Sequence, residues 1–174
     1  ARYDEARADF ISFIGVLLHE IEKFDPGIAG LEARNCVFRI YRDTRFSRNK
    51  TPYKTNFGAR ILHGGNRNLH QRAGYFMNIE PGNCFLAGGA FRPSTQWINA
   101  IRRQIEGNAD ALRAITAGRK FRAYFDGIEG ERLKTAPRGY PRDHPEIELL
   151  RHKSFLARHR LCDARVFSPG FLKH

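Results

Sequence analysis

Apolar residues recur along the first stretch of the chain at steps of three and four: Phe10, Phe13, Ile14, Leu17, Leu18, Ile21 and Phe24, with acids placed early. That period marks one face of an α-helix, so the pattern predicts an amphipathic core helix over residues 1–24. Asp25, Pro26 and Gly27 stop it, and Glu20 and Lys23 fall on its solvated side. A short turn or helix is expected over residues 28–34. Residues 36–42, CVFRIYR, then alternate with period two, which predicts a strand with Phe38 and Ile40 on one side and Arg39 and Tyr41 on the other.

The next stretch, RDTRFSRNKTPYK at residues 42–54, follows neither period and reads as a long ordered loop. A second strand is predicted over residues 55–63, and HGGNRN makes a turn. Residues 73–80 and 84–91 are two apolar runs joined by Pro81, Gly82 and Asn83, the pattern of a hairpin. Gly88 and Gly89 inside the second run call for a bulge or the close approach of a backbone or ligand.

Pro93 and Ser94 cap a predicted helix with Trp97, Ile98, Ile101 and Ile105 on one face, and a second with Leu112 and Ile115 starts at Asn108 and closes at Gly118. Residues 121–125 are too few for periodicity to choose between strand and helix. Residues 130–145, GERLKTAPRGYPRDHP, form a second irregular loop. A short helix over residues 145–151 is expected next, capped by Asp143 or His144 with Glu146 and Glu148 near its positive end; a strand through Phe155 and a helix or coil follow. Strands in direct succession without helical crossovers predict an α+β fold, mainly an antiparallel sheet with helices packed on one face, in a single domain. Its parts are the helix at 1–24, a strand-rich half at 36–91, helices at 93–117 and the second loop with its helix at 130–155.

The 174 residues suffice for a core without staples, and fourteen Phe with six Tyr and one Trp supply it. Three cysteines, Cys36, Cys84 and Cys162, are widely spaced, with no CxxC pair and no histidines at metal-ligand spacing; neither a disulfide framework nor a metal or other cofactor is expected. Cys36 and Cys84 sit in apolar strands, as inert thiols do. The longest apolar run, residues 10–18, is far short of the roughly 20 residues a membrane span needs and lacks a basic leader. A cytoplasmic protein without membrane attachment is the expectation. The chain opens on Ala1 rather than Met, so it is expected to be processed or a piece of a longer one.

Charge changes the picture, because the net +12 is unevenly spread: residues 1–33 carry −4, residues 34–72 carry +9 and residues 73–174 carry +7. Such a field draws anions. In the first loop Arg42, Arg45, Lys50 and Lys54 are candidate ligands for phosphate or carboxylate, since guanidinium forks take two oxygens and Lys adds a point charge. Arg48 adds a fifth cation, and Phe46 and Tyr53 look like a buriable aromatic pair. Asp43 would orient one Arg or handle a proton. In the second loop Arg138 stands beside Gly139, where backbone N–H groups can approach a ligand, and His144, beside Asp143, is a candidate general acid or base, or else a capping residue packed on Tyr140. Glu80 at a strand end is a third candidate base.

The segments FRIYRDTRFSRNKTPYKTNFGA, GYFMNIEPGNCFLAGGAFRPS and LKTAPRGYPRDHPEIELLRHKSF together resemble a family of conserved bacterial and fungal proteins classed as a domain of unknown function, with the signature RDxRFSxxKxPYK. The resemblance implies that residues 42–54 and 137–155 are signature blocks and carries over no catalytic residue. Two uses of the blocks follow from their residues. The first is a pocket shared by both loops for an anionic small molecule bearing phosphate or carboxylate, with Arg42, Arg45, Lys50, Tyr53, Lys54 and Arg138 binding and Asp43, Glu80 or His144 moving a proton. The alternative is a nucleic-acid-binding module in which the basic 34–72 segment tracks phosphates and Tyr41, Phe46 or Tyr53 stacks on bases. A third, structural use leaves the first loop merely held by Arg and Asp hydrogen bonds.

Overall fold

The computed structural model describes residues 2–173; Ala1, the first residue of the predicted amino-terminal helix, lies outside them. In chain order the elements are α1 (Arg2–Glu22), a 3-10 turn (Pro26–Ile28), α2 (Ala33–Cys36), β1 (Phe57–Leu62), a 3-10 turn (Asn66–Asn68), β2 (Gly74–Ile79), β3 (Cys84–Ala90), α3 (Thr95–Gly107), α4 (Asp110–Ala117), α5 (Arg119–Arg122), α6 (Ile147–Leu150), β4 (Phe155–Leu161), α7 (Asp163–Val166) and a last 3-10 turn (Phe171–Lys173). The four strands form one antiparallel sheet in the order β1-β2-β3-β4, so the fold is α+β, as the pattern predicts. Backbone proximity divides the chain into two compact units, residues 1–68, 74–86 and 160–174 in one and residues 69–73 and 87–159 in the other. The division passes through β3 and β4 themselves, which is consistent with a single domain. Among the described residues no helix is long and apolar enough to cross a membrane.

In the first unit α1 buries Phe10, Ile14, Leu18 and Ile21 against Ala59 and Ile61 of β1 and Met77 of β2, with Ile28, Cys36 and Val37 completing the core. Each large side chain taken out of water there contributes about 1.5–3 kcal/mol before entropy is charged. The β1–β2 register runs from Phe57 opposite Ile79 to Leu62 opposite Gly74. Phe24, predicted on the core face, is instead 69% exposed. The backbone N–H groups of Phe24 and Asp25 both donate to the Ile21 carbonyl, which turns the chain before Phe24 reaches that face; its ring meets the edge of Tyr75.

In the second unit Ser94 caps α3, its hydroxyl accepting from the Trp97 N–H at 3.3 Å. Ile105, Ala109 and Leu150 form the core there with Ile101, Leu112, Tyr140, Leu149 and Phe155. Ile115 is 62% exposed although predicted to share the face of Leu112; α4 is short, and only Leu112 of the pair packs inward. Residues 119–122 settle as the helical turn α5. The helix expected at 145–151 shrinks to α6, and its N-cap is Glu146 rather than Asp143 or His144. The reason is local: His144 N–H donates to Pro141, Ile147 N–H donates to His144, and the His144 ring takes the Glu146 N–H, so the residues before Glu146 are already spent in turns. The last strand, expected to stop near Phe155, starts there and runs to Leu161 as β4; its first five residues are all half-buried, so it carries no period-two pattern for the sequence to show. Gly89, with φ of 129°, resolves the glycine pair: a Cβ there would lie 2.0 Å from the Phe155 carbonyl oxygen, so the requirement is a close approach of backbone.

Candidate anion-binding site

The site begins with how residues 37–59 fold back on themselves. Phe38 N–H donates to Gly58 O, Lys54 N–H to Ile40 O and Arg42 N–H to Pro52 O, with isolated bridges pairing Val37 with Ala59 and Tyr41 with Tyr53. The predicted strand over 36–42 is therefore extended chain held at two bridges, not a continuous strand; Cys36 itself closes α2. Two features interrupt the ladder. Pro52 has no N–H to donate, and the Arg39 carbonyl is taken by the side chain of Lys54, whose Nζ lies 2.7 Å away. The chain bends at Thr55 and Asn56 between the two bridges.

The tip, residues 43–51, is folded by its own charges. Arg45 forks onto Asp43 through Nε at 3.0 Å and Nη2 at 2.7 Å, and this pairing holds the Asp43 carboxyl down at about 2. A carboxylate held so low is a weak proton acceptor at neutral pH. Arg42 donates to the Thr51 hydroxyl, and Lys50 donates to the Thr44 carbonyl at 2.9 Å. The aromatic pair is not buried: Phe46 is 96% exposed with the Arg45 guanidinium 5.9 Å from its ring centre, and Tyr53 is 53% exposed, its ring 5.6 Å from that of Tyr41. An aromatic residue in an irregular loop has no periodic face to assign it inward, and the bridge between Tyr41 and Tyr53 turns both rings to the surface.

At the base of this hairpin the bend opens a cavity of about 150 Å³ lined by Tyr3, Phe38, Ile40, Lys54, Thr55, Asn56 and Phe57. Phe38 and Ile40 share its wall, as their alternation predicts, while Arg39 and Tyr41 are exposed. Tyr3, from the first turn of α1, stacks on Phe57 with centroids 6.0 Å apart and planes 7° from parallel, and Phe57 leans in turn on Phe10. The rim is braced from β2 and its turn. Thr55 donates its hydroxyl proton to Glu80, Asn83 donates to the same carboxylate at 2.8 Å, and Asn56 donates to the buried Asn78 at 2.6 Å. These bonds, that from Thr55 foremost, hold Glu80 below the usual carboxylate range, so it stands there as an ionised acceptor.

Lys54 Nζ lies 5.3 Å from the centre of the Phe38 ring and Arg60 Cζ lies 4.8 Å from it. Burial pulls the Lys54 ammonium down, with the Arg39 charge adding to it, and burial alone pulls the Arg60 guanidinium down. No carboxylate pairs with either cation among the described residues. Lys54 spends one of its three protons on the Arg39 carbonyl, and Arg60 makes no hydrogen bond through its guanidinium among the described residues. Arg60, Phe38, Thr55, Asn56 and Tyr3 are absent from the site read off the sequence. Arg60 looks there like the solvent-facing residue of an ordinary strand, and Tyr3 lies far away along the chain.

The second signature block belongs to the other unit. Arg138 is exposed beside Gly139, in the turn closed by Tyr140 N–H onto Pro137 O. His144 has its Nδ1 accepting the Glu146 N–H at 3.0 Å and its ring edge-on to Tyr140, 6.1 Å between centroids. The residue there with the most constrained chemistry is His152, which is 1% exposed. Its Nε2 lies 3.1 Å from Arg132 Nε, which can only donate, so Nε2 accepts and the ring proton sits on Nδ1, donating to the Ser154 carbonyl at 3.2 Å. Burial first, and Arg132 second, push the His152 ring below its ordinary value. Arg102, also buried, donates to the Leu150 carbonyl at 2.9 Å and the His152 carbonyl at 3.3 Å. The predicted site residues thus separate into an exposed tip (Asp43, Arg45, Lys50) with half-buried Arg42 and exposed Tyr53 beside it, a base (Lys54, with Glu80 bracing its rim) and, in the other unit, Arg138 and His144. Among the described residues no group of three or more His, Cys, Asp and Glu side chains that could hold a metal comes together.

A family model described as conserved hypothetical protein (DUF2461) matches residues 1–174, and the chain belongs to that family, whose function is unknown. No curated protein and no solved structure matches the chain.

Proposed function

We propose that this member of the family binds a small anion, bearing phosphate or carboxylate, at the base of the hairpin formed by residues 37–59. The observation that carries the reading is the pair of partly desolvated cations, Lys54 and Arg60, over one aromatic ring with no carboxylate partner among the described residues. Withdrawing a cation from water is unfavourable unless a counter-charge arrives, and a bound anion supplies one. Asp43 and Glu80 are held ionised by their hydrogen bonds, so neither offers a proton, and the reading is of binding rather than proton transfer. Calorimetric titration with acetate and with inorganic phosphate tests it. At least one should bind, and Lys54→Met should weaken that binding about tenfold, the effect of losing one charge-assisted hydrogen bond. Equal affinity in the variant, or no binding of either anion, contradicts the reading.

A second reading rests on a different observation: Phe46, Tyr41 and Tyr53 present exposed rings among Arg39, Arg45, Arg48 and Lys50. Exposed rings among cations are what single-stranded nucleic acid stacks on. Binding of an unstructured oligonucleotide that falls steeply with salt and weakens in Phe46→Ala supports this use of the tip; salt-insensitive or absent binding removes it.

A further inference from the structure

The cavity beneath Lys54 is more particular than a generic anion site, and an inference about its ligand rests on the reading just given. Its walls are chiefly rings and aliphatic carbon, from Tyr3, Phe38, Phe57 and Ile40, and its polar side-chain groups are those of Lys54, Thr55 and Asn56 with the Tyr3 hydroxyl. A cavity of about 150 Å³ lined by apolar side chains is the size that takes up one benzene ring. Tyr3 and Phe57 lie within 7° of parallel, and both border the cavity, so they offer stacked faces and edges to a flat guest.

The charge around the cavity is equally selective. Among the described residues Lys54 is the sole cation lining it, with one ammonium proton already on the Arg39 carbonyl. The Thr55 hydroxyl proton is committed to Glu80, and Asn56 donates to Asn78. A phosphate dianion needs several convergent donors and would sit near the ionised Glu80 that Thr55 touches. A carboxylate asks for less: one negative charge and a donor or two, which the remaining Lys54 protons provide. We infer that the ligand is a small planar aromatic carboxylate, one ring in size, whose ring lies among Tyr3, Phe38 and Phe57 and whose carboxylate meets Lys54. Arg60, over the same Phe38 ring, adds positive potential.

The test follows aromatic and threonine methyl resonances of the whole chain by NMR during titration with benzoate, cyclohexanecarboxylate, acetate and inorganic phosphate. Benzoate should bind about tenfold more tightly than acetate, from ring burial and stacking, and more tightly than the non-planar cyclohexanecarboxylate. The resonances that move should be those of Tyr3, Phe38, Phe57 and Thr55. Lys54→Met should lose benzoate binding about tenfold. Tyr3→Leu, which keeps an apolar wall but removes one ring, should reduce the preference for benzoate over acetate while acetate affinity stays. If acetate or phosphate binds at Lys54 as tightly as benzoate does, the aromatic assignment is overturned and the small-anion reading survives. If no anion moves the Lys54 neighbourhood, both are overturned.

Discussion

The two signature blocks hold comparable numbers of cations and use them in opposite ways. In the second block, residues 137–155, and the segment just before it, Arg132 is paired with Glu148 and with the His152 ring, and Arg151 with Glu148 and the Leu133 and Lys134 carbonyls. Buried Arg102, although without a carboxylate among the described residues, is satisfied by two backbone carbonyls of the same block. At the base of the first block, Lys54 and Arg60 are pulled down by burial, lean on Phe38 and meet no carboxylate among the described residues. A cation that ties segments together is recognisable by its partners, whereas one kept partly out of water without a counter-charge is the feature on which the proposed anion site rests. Between these extremes lies the hairpin tip, where Arg45 has its carboxylate in Asp43 but both are exposed.

The contrast can be broken by stability measurements. Arg102→Met should be the most damaging change, losing about 3 kcal/mol in denaturant melts, because it strands the Leu150 and His152 carbonyls in the core. A loss under about 0.5 kcal/mol would mean that the second block is not organised by its cations. His152 should follow, through pH. Its folded-state value lies below the ordinary 6.5, so above that pH the ring is neutral folded or unfolded and nothing is lost. As pH falls through 6.5 the unfolded chain takes up a proton that the folded chain refuses, and stability should decline until the lowered folded value is reached. Urea melts from pH 7.5 to 5 should show this decline, and His152→Gln should flatten it; an unchanged slope in the variant would remove His152 as its source.

Lys54→Met should do the reverse of Arg102→Met, leaving stability within about 1 kcal/mol or raising it, since an unpaired ammonium leaves its half-buried place. A loss of several kcal/mol there would turn Lys54 into a structural cation and erase the comparison. The smallest effect should be that of Arg45→Ala at the tip, under about 0.5 kcal/mol, as for exposed ion pairs in general.

How much of this was legible beforehand depended on whether the determinant was local. The period of Phe10, Ile14, Leu18 and Ile21 announces α1, the turn at Pro81 to Asn83 announces the β2–β3 hairpin, and Ser94 announces the start of α3, because each signal is complete within one element. The alternation of Phe38 and Ile40 likewise foretells a shared wall, although not that Pro52 and the Lys54 side chain interrupt the ladder. Partnerships between distant segments were not legible. Nothing near Arg60 says that no carboxylate among the described residues will reach it, nothing near Tyr3 says that it will stack on Phe57, and nothing near His152 says that Arg132 will fix its tautomer. The site expected from the sequence and the site proposed from the structure therefore share one hairpin, the first resting on its charged tip and the second on its aromatic base.

The most direct test of that emphasis is the titration of the Lys54 ammonium itself, followed through its side-chain carbon and nitrogen resonances with and without saturating benzoate. The account predicts that Lys54 titrates below the ordinary lysine value in the free protein and moves up toward or past it when the anion is bound. A Lys54 that titrates like the other lysines and ignores the anion would contradict it.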